Sequence, residues 1–409
     1  MAVGKNQLPD FNVIPGLRLG VACAGIKKAE RKDLVVIEMA AGSACAGVFT
    51  RNAFCAAPVV ICKENLSRNI ADTGPAYLII NTGNANAGTG AEGMADAREC
   101  CRALAQQVGA LESSILPFST GVIGEKLPVD TIKKSIPDAL SDLSADNWAS
   151  AAEGILTTDT RPKGVTAAVE YAGHTISFSG ISKGAGMIKP NMATMLAYVG
   201  TDAKLSDELC QSLLSELADL SFNRITIDGD TSTNDSCMLM ATGQSAAPAI
   251  DPSHTDFPAF KKALETVLIE LAQAIVRDGE GATKFVTVSV EQGLTQAETL
   301  ETAYTIAHSP LVKTALFASD PNWGRILAAL GRSPIPDFDL SKVVIYLGDV
   351  CIVESGGRSE SYSEAAGQAV MDHDEISIRV LLGRGDCSET VWTTDLSRDY
   401  VTINADYRT

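Results

Sequence analysis

A threonine stands at the junction between a loop rich in glycine and lysine and an apolar run. The loop covers residues 181–193 and ends in the small residue Ala193, and Thr194 then opens the apolar run 195–199. The Thr194 hydroxyl can attack the preceding carbonyl, and the α-amine released by cleavage can serve as the base for the same hydroxyl. Threonine is a weak nucleophile, so an adjacent amine of near-neutral pKa meets a chemical need. On these residues alone, an ordinary connection before a buried strand is the more frequent explanation.

The same loop also contains a serine in a pattern typical of hydrolases. Residues 180–184 read G-I-S-K-G, which matches the G-x-S-x-G nucleophile elbow of α/β-hydrolases and would make Ser182 the nucleophile. Histidines that could complete a triad follow at 254, 308 and 373. An elbow leads into a helix, however, and residues 187–191 make a poor helix start. A serine hydrolase is therefore kept as an alternative prediction.

A longer stretch around the threonine identifies a family. The segment KGAGMIKPNMATMLAYVGTDA, residues 183–203, resembles the cleavage segment of the ornithine acetyltransferase family, the glutamate N-acetyltransferases of the arginine pathway. Other blocks resemble segments of the same family, in the family's order: 49–52, 81–88, 119–124, 156–160, 228–235, 277–284, 320–325 and 404–409. The resemblance thus extends from residue 49 to residue 409.

The resemblance implies a self-cleaving enzyme with a covalent intermediate. The chain would be cut between Ala193 and Thr194, and Thr194 would then be the nucleophile. In a ping-pong reaction, Thr194 would take the acetyl group from N-acetylornithine, hold it as an ester and pass it to glutamate. Thr120 and Gly121 match the family's oxyanion pair, and a glycine allows its N–H to come close to a reacting atom. Without the resemblance, a glycine turn after the strand 115–118 would be the simpler explanation.

The resemblance also implies a set of substrate-binding residues. The set consists of Thr157, Lys183, Thr194, Glu280, Asn404 and Thr409. A lysine suits the α-carboxylate that both amino acids share, whereas Glu280 between two glycines would otherwise be a common helix stop. Chain termini are usually frayed, but the family match places the tail with Asn404 and Thr409 in the site.

Hydrophobic periodicity predicts the elements that position these residues. A 3.6-residue period predicts helices over about 91–108, from Ser206 to Leu220, and over about 258–277. Strands are predicted at 34–39, 58–62, 76–80 and 285–290, and a hairpin at 165–171 and 175–179. Strands and helices that alternate without βαβ regularity favour α/β layers over a doubly wound sheet.

The strand pattern and the family resemblance together predict two domains. The strand pattern changes after residue 281, which places a boundary near 285–295. The resemblance implies an αββα sandwich over residues 1–285 that carries the threonine nucleophile. Residues 286–409 would form a smaller C-terminal α/β domain whose tail returns to the active site.

Two loops imitate other binding sites. Residues 88–93 match G-x-G-x-x-G, but a dinucleotide fold needs a strand ending in an acid about twenty residues later, and residues 111–114 follow the helix too soon. Residues 228–239 imitate a calcium loop, yet Thr233 stands where glycine is required and Leu239 where glutamate is required. With four histidines and no C-x-x-C pair, we predict neither a metal site nor a bound cofactor.

Composition restricts the partners. A net charge of −17 argues against non-specific binding to nucleic acid or anionic lipid. The N-terminus has no signal-peptide pattern and no apolar run reaches membrane-spanning length. The ten cysteines suit buried thiols in a reducing compartment, so we expect a cytoplasmic protein.

Three points of function stay open on the sequence. Acetyl-CoA could be a second acetyl donor, as in some members of the family. The resemblance implies a heterotetramer of two α and two β chains made by cleavage. A self-cleaving aminopeptidase of related fold is a further alternative, although its nucleophile is characteristically serine, whereas this chain has Thr194 and the Thr157 segment.

Overall fold

The computed structural model describes residues 2–4, 7–67, 76–189 and 195–406. The chain forms two compact units. The larger, which we call the sandwich unit, consists of Gln7–Asn223 and Asp230–Ile275; the other, the C-terminal unit, consists of Met1–Asn6, Arg224–Gly229 and Val276–Thr409. The chain thus passes into the C-terminal unit at Val276, nine residues before the end of the predicted first domain, after a short excursion at 224–229.

The sandwich unit contains two β-sheets. Its strands are β1 (Leu17–Ala22), β2 (Leu34–Met39), β3 (Ala44–Phe49), β4 (Ala76–Asn84), β5 (Ile115–Val122), β6 (Lys163–Tyr171), β7 (His174–Lys183), β8 (Leu196–Thr201) and β9 (Ser236–Ala241). One sheet has the order β1-β2-β4-β5, and the other has the order β3-β9-β8-β7-β6. The β4–β5 and β8–β9 pairs are parallel, and the remaining pairs are antiparallel.

The two sheets face each other across one apolar core. Side chains from both sheets belong to it: Leu19, Ile37, Ile80 and Phe118 from the four-stranded sheet, and Ile181, Tyr198, Met238 and Met240 from the five-stranded sheet. The rings of Phe118 and Tyr198 meet edge to face with centroids 5.3 Å apart. Every residue of β8 and β9 is buried, because helices cover the other face of that sheet.

Helices cover the outer faces of both sheets. Within the described residues, the helices of this part are α1 (Ala57–Leu66), α2 (Gly90–Val108), α3 (Val129–Ser141), α4 (Trp148–Gly154), α5 (Asp207–Leu220) and α6 (Phe257–Arg277), of which α1 and α4 also contribute side chains to the core between the sheets. Helices α2 and α3 pack on the four-stranded sheet, while α5 contacts β3 and β9. Phe260 of α6 lies against Phe178 of β7, with ring centroids 5.5 Å apart. The layers run helix, sheet, sheet, helix, which confirms the predicted αββα sandwich.

Most of the predicted elements are confirmed, and one is wrong. Helices α2, α5 and α6 and the β6–β7 hairpin lie where the hydrophobic pattern predicts them, and the Ser206 hydroxyl caps α5 by accepting from the Leu209 N–H. Residues 58–62, predicted as a strand, belong to helix α1. Pro58 stands in the first turn of that helix, where proline is well tolerated and its fixed φ favours the helix. The β-branched run that follows it suggested a strand.

The C-terminal unit has one mixed sheet covered by helices. Its strands are β10 (Phe285–Gly293), β11 (Val344–Leu347), β12 (Val350–Glu354), β13 (Gly357–Arg358), β14 (Glu375–Leu381) and β15 (Cys387–Thr394), in the order β13-β12-β11-β14-β10-β15. Its helices are α7 (Gln296–Ala307), α8 (Pro310–Phe317), α9 (Trp323–Gly331), α10 (Glu364–Met371) and α11 (Arg398–Ala405). A core that includes Val288, Ile306, Ile345 and Ile378 is separate from that of the sandwich. Within the described residues, no helix is long and apolar enough to span a bilayer.

Candidate active site

The predicted oxyanion pair lies at the end of β5, where two main chains run unusually close. Thr120 and Gly121 are aligned with Thr82 and Gly83 of β4. Gly121 has a φ of +138°, and a side chain there would overlap the Gly83 carbonyl carbon and come within 2.5 Å of the Asn84 nitrogen. Only glycine fits both the backbone conformation and the space. The position therefore requires glycine for structural reasons that are compatible with an oxyanion role.

Lys183 reaches the oxyanion segment from the other sheet. It is the last residue of β7 and is 8% exposed. Its Nζ donates to the Thr120 hydroxyl oxygen at 3.3 Å. In the β7–β8 pairing, Lys183 is opposite Leu196. Leu196 is two residues beyond Thr194, so the chain brings Lys183, Thr120 and the start of β8 into one region.

A buried carboxylate, Asp159, connects this region to the segment that contains Thr157. Its side chain has no solvent exposure. One oxygen accepts from the Lys163 ammonium and from the Gly184 N–H, each at 2.6 Å, and the other accepts from the Thr157 N–H at 2.9 Å. These contacts fix Thr157 relative to the first residue of the loop that leads to Thr194. The Asp159 carboxylate was not predicted as a site residue.

The charge of Asp159 is stabilised against its burial. Desolvation alone would raise the pKa of this carboxyl, but the ammonium groups of Lys163 and Lys183 outweigh it and the pKa lies well below its usual range. Asp159 therefore stays ionised. Lys163 is its close partner, at 1% exposure. Two lysine ammonium groups and one ionised carboxylate therefore lie together in this region.

Buried asparagine side chains form hydrogen bonds to residues near the ends of β4 and β5. Asn81 accepts from the Ser119 hydroxyl at 2.6 Å and donates to the Asn84 carbonyl at 2.9 Å. Asn234 donates to the Ser119 carbonyl at 2.9 Å. Sequence reasoning assigned these residues to family blocks but gave them no role. The density of asparagine in residues 81–86 was the available signal, since buried amides need partners.

The glycine-rich turn at 88–93 has a structural explanation. Asn86 donates to the Gly93 carbonyl at 2.9 Å and accepts from the Thr89 hydroxyl at 2.8 Å. A side chain at Gly93 would overlap the side chains of Thr89 and Asn86. Gly93 lies inside helix α2 and is required for this close packing. The turn is thus a helix start built on the Asn86 side chain.

In the C-terminal unit, two predicted substrate residues bind each other. The Asn404 amide, on α11, donates to a Glu280 carboxylate oxygen at 2.7 Å. Glu280 is 7% exposed, and Gly281 after it has a φ of +69°. A side chain at Gly281 would approach the Tyr400 nitrogen to 2.6 Å, so the chain before β10 packs directly on α11. Ala193, Thr194 and Thr409 lie outside the described residues.

Comparison with known proteins places this chain in a family. The ArgJ family profile matches residues 18–409. The chain belongs to the ArgJ family. Its relatives include the arginine biosynthesis bifunctional protein ArgJ of Pseudomonas syringae pv. tomato, 58% identical over 410 residues and the full length of both chains. The protein of that name from Methylococcus capsulatus is 55% identical over 405 residues, 98% of each chain.

A solved member of the ArgJ family matches only part of this chain. The crystal structure of arginine biosynthesis bifunctional protein ArgJ from Bacillus halodurans is 39% identical, with a TM-score of 0.50. It covers 52% of this chain and 99% of its own. The family predicted from the sequence blocks is therefore confirmed, and the comparison structure corresponds to about half of the chain.

The competing motifs do not form the sites they imitate in this ArgJ-family chain. Ser182 lies within strand β7, is fully buried, and donates its hydroxyl to the Leu271 carbonyl at 3.3 Å. A nucleophile elbow needs an exposed serine on a turn into a helix, so the hydrolase geometry is absent at this residue. Strand β9 begins at Ser236, inside the would-be calcium loop. The described residues contain no cluster of three or more metal-ligating His, Cys, Asp or Glu side chains.

Proposed function

We propose that this protein is an acetyltransferase of arginine biosynthesis that moves the acetyl group from N-acetylornithine to glutamate. Its full-length identity of 55–58% with ArgJ proteins carries the proposal. The described site supports it, because the segments that the reaction needs lie together in the sandwich unit: the oxyanion strand end, a buried lysine beside it, and the chain that leads to Thr194.

The first step of the proposal is self-cleavage at Thr194. The Thr194 hydroxyl attacks the Ala193 carbonyl carbon, the peptide C–N bond breaks, and the α-amine of Thr194 takes the proton. Water then hydrolyses the resulting ester, which frees the hydroxyl and leaves a new carboxylate on Ala193. The fragment 194–409 would contain 216 of the 409 residues.

Acetyl transfer then follows a ping-pong course. Thr194 Oγ attacks the acetyl carbonyl of N-acetylornithine, the amide bond breaks, and the α-amine of Thr194 passes a proton to the departing ornithine amine. Glutamate's amine attacks the acetyl-threonine ester in the second half, and Thr194 Oγ recovers a proton. Each half passes through a tetrahedral oxyanion, which Thr120 and Gly121 would stabilise; such a donor is typically worth about a hundred- to a thousandfold in rate.

The shared part of the two substrates suits Lys183. Ornithine and glutamate both carry an α-carboxylate, and the Lys183 ammonium lies beside Thr120, in the segment proposed to hold the reacting carbonyl. We assign Lys183 and Thr157 to this end of the substrate. Glu280 and Asn404, which bind each other, together with Thr409, are assigned to the remaining polar groups. A carboxylate held by a neutral amide can accept from a substrate amine.

The experiment that tests this function measures cleavage first and transfer second. Intact mass and N-terminal sequencing under denaturing conditions should give two fragments, the second beginning Thr194-Met195-Leu196. The cleaved protein should transfer acetyl from N-acetylornithine to glutamate. Thr194→Ala should give one uncut chain without transfer, whereas Thr194→Ser should still cut, more slowly. A Thr194→Ala protein that is cut and active would overturn the nucleophile assignment.

Three finer points complete the proposal. Acetyl-CoA is a candidate second donor, which an assay with acetyl-CoA and glutamate decides. We expect two copies of each fragment in the assembly, a mass that native mass spectrometry measures. The ten cysteines are free thiols, as expected in a reducing compartment, so we expect the protein in the cytoplasm.

A further inference from the structure

The buried side-chain amide of Asn234 connects the two sheets near the proposed oxyanion residues. Asn234 lies in the loop before β9, in the five-stranded sheet, and is 6% exposed. Its Nδ2 donates to the carbonyls of Ala85 and Ser119, at 2.5 and 2.9 Å, at the ends of β4 and β5 in the other sheet. Both hydrogens of the amide are used. Asn234 therefore joins the two sheets at the oxyanion end of the sandwich.

The orientation of this amide is fixed by its neighbour. The Thr233 hydroxyl donates to Asn234 Oδ1 at 2.6 Å, which leaves the nitrogen directed at the two carbonyls. The loop itself is held by the segment between β3 and α1: the Thr50 hydroxyl donates to the Ser232 carbonyl at 2.7 Å, and the Ala56 N–H donates to the Thr233 carbonyl at 2.9 Å. These contacts hold the Asn234 side chain in one orientation, so it can fix the position of the carbonyl groups that it binds.

The same short segment also holds the chain beside Thr194. The Ser236 N–H, two residues after Asn234, donates to the Met195 carbonyl at 2.9 Å. Met195 is bonded directly to Thr194. Residues 234–236 thus contact the Ser119 carbonyl through a side chain and the Met195 carbonyl through the main chain. This segment is a direct structural connection between the oxyanion strand and the residue next to the nucleophile.

We propose that Asn234 is a positioning residue that sets the separation between the Thr194 hydroxyl and the oxyanion donors; this inference rests on the acetyl transfer proposed above. The Ser119 carbonyl belongs to the planar peptide group that leads into Thr120, so fixing this carbonyl fixes the main chain from which Thr120 and Gly121 extend. Displacement of reacting groups by about 1 Å can cost about a hundredfold in rate.

The chain offers a matched control at the opposite end of the same strand. Asn65 is 3% exposed, and its Nδ2 donates to the Ile115 and Glu112 carbonyls at 2.8 and 3.5 Å. Ile115 is the first residue of β5, whereas Ser119 and Thr120 are near its last. Asn65→Ala and Asn234→Ala therefore both remove a buried amide that binds two main-chain carbonyls. Only Asn234 lies at the reacting end.

The test compares steady-state kinetics of the two variants with those of the unmodified protein, per mole of chain cleaved as measured by intact mass. For Asn234→Ala we expect kcat to fall about tenfold to a hundredfold while KM for both substrates changes by less than about twofold. For Asn65→Ala we expect a loss of thermal stability similar to that of Asn234→Ala, with kcat within about twofold of the unmodified protein. Melting temperatures of all three proteins establish that they are folded.

A gentler variant keeps the test decisive if Asn234→Ala does not fold. Thr233→Val removes the hydroxyl that orients the amide and keeps the side-chain shape, so kcat should fall by about threefold to tenfold. Equal kcat losses in the Asn65 and Asn234 variants, a change in KM alone, or an unchanged kcat in both Asn234→Ala and Thr233→Val would overturn the positioning role. Absence of transfer in the unmodified, cleaved protein would instead overturn the proposed function, and this inference with it.

Discussion

At the scale of single residues, the site is organised by a charge that water cannot reach. Asp159 has no exposed side-chain surface, and its oxygens accept from Lys163, Gly184 and Thr157. A buried carboxylate costs several kcal/mol to desolvate unless its partners compensate. Because its partners are the Lys163 ammonium and two main-chain N–H groups, the Asp159 carboxylate holds this ammonium in place. It also fixes the segments that contain Thr157 and Gly184.

The lowered pKa of Asp159 predicts an acid sensitivity with a definite sign. Its folded-state pKa lies below the unfolded value of about 3.9, so its contribution is fully present above that pH and is lost as the pH falls towards the folded pKa. Asp159→Asn removes the buried carboxylate that binds Lys163 and should lower the free energy of unfolding by about 3–5 kcal/mol at pH 7. The difference between the two proteins should shrink below about pH 4.

Urea unfolding of both proteins between pH 3 and pH 7 measures this difference. Other carboxylates titrate in both proteins and cancel. Asp10→Asn, at an exposed position, serves as the control and should change stability by less than about 1 kcal/mol at every pH. A deficit of Asp159→Asn that is constant over the whole range would contradict the assignment of the pKa shift to the folded state.

Some residues of the candidate site can be predicted from the sequence, whereas others cannot. Lys183 and Thr120 belong to motif blocks, and the structure brings their side chains within 3.3 Å of each other. The bridge made by Asn234 depends on the meeting of two sheets whose strands are 115 residues apart in the chain. No local pattern reports such a contact. The roles of the predicted site residues stay predictions until the variants are measured.

At the scale of elements, the close approach of β4 and β5 is what makes the oxyanion end possible. Gly121 packs against the Gly83 and Asn84 main chain at a φ of +138°. We predict that Gly121→Ala lowers stability by about 3 kcal/mol or more, because strain and overlap add. Because the strands must separate, acetyl transfer should fall about a hundredfold or more.

Gly124→Ala is the matched control for this prediction. Gly124 also has a positive φ, +83°, but a side chain there would meet no atom within 4 Å. It should cost about 1 kcal/mol of backbone strain and leave transfer unchanged. Urea unfolding and initial rates measure both effects. Equal behaviour of the two variants would show that the close approach of the strands does not matter for the reaction.

Helices can be predicted from the sequence where the hydrophobic periodicity and the capping residues indicate the same helix. Helix α5 has its apolar spacing, its Ser206 cap and acidic residues in its first turn, so every local signal agrees. Residues 58–62 carry a β-branched run, yet they form helix α1 because that helix packs against β5 and β3. Tertiary packing overrides a weak local preference there. The same limit applies to the sheet order, which depends on contacts between distant strands.

At the scale of the whole molecule, the proposed cleavage point divides one sheet between two fragments. Strands β3, β6 and β7 precede residue 193, and β8 and β9 follow residue 194. In the five-stranded sheet, β8 pairs with β7 from Lys183↔Leu196 to Phe178↔Thr201, and β9 pairs with β3. The core between the sheets also contains side chains from both fragments. Cleavage between residues 193 and 194 would break none of these contacts.

We therefore predict that the cleaved fragments 1–193 and 194–409 stay together under native conditions. Each inter-fragment hydrogen bond contributes about 0.5–1.5 kcal/mol, and separation would expose the apolar face of both sheets, at about 25 cal/mol per Å². Native mass spectrometry should find both fragments in one particle of the same oligomeric state as the uncut Thr194→Ala protein. Denaturing electrophoresis should resolve two bands for the former and one for the latter. Detection of the two fragments as separate particles without denaturant would contradict this prediction. Separation would mean that β8 and β9 had left the strands β3 and β7 that flank them, so the two sheets would no longer share a core.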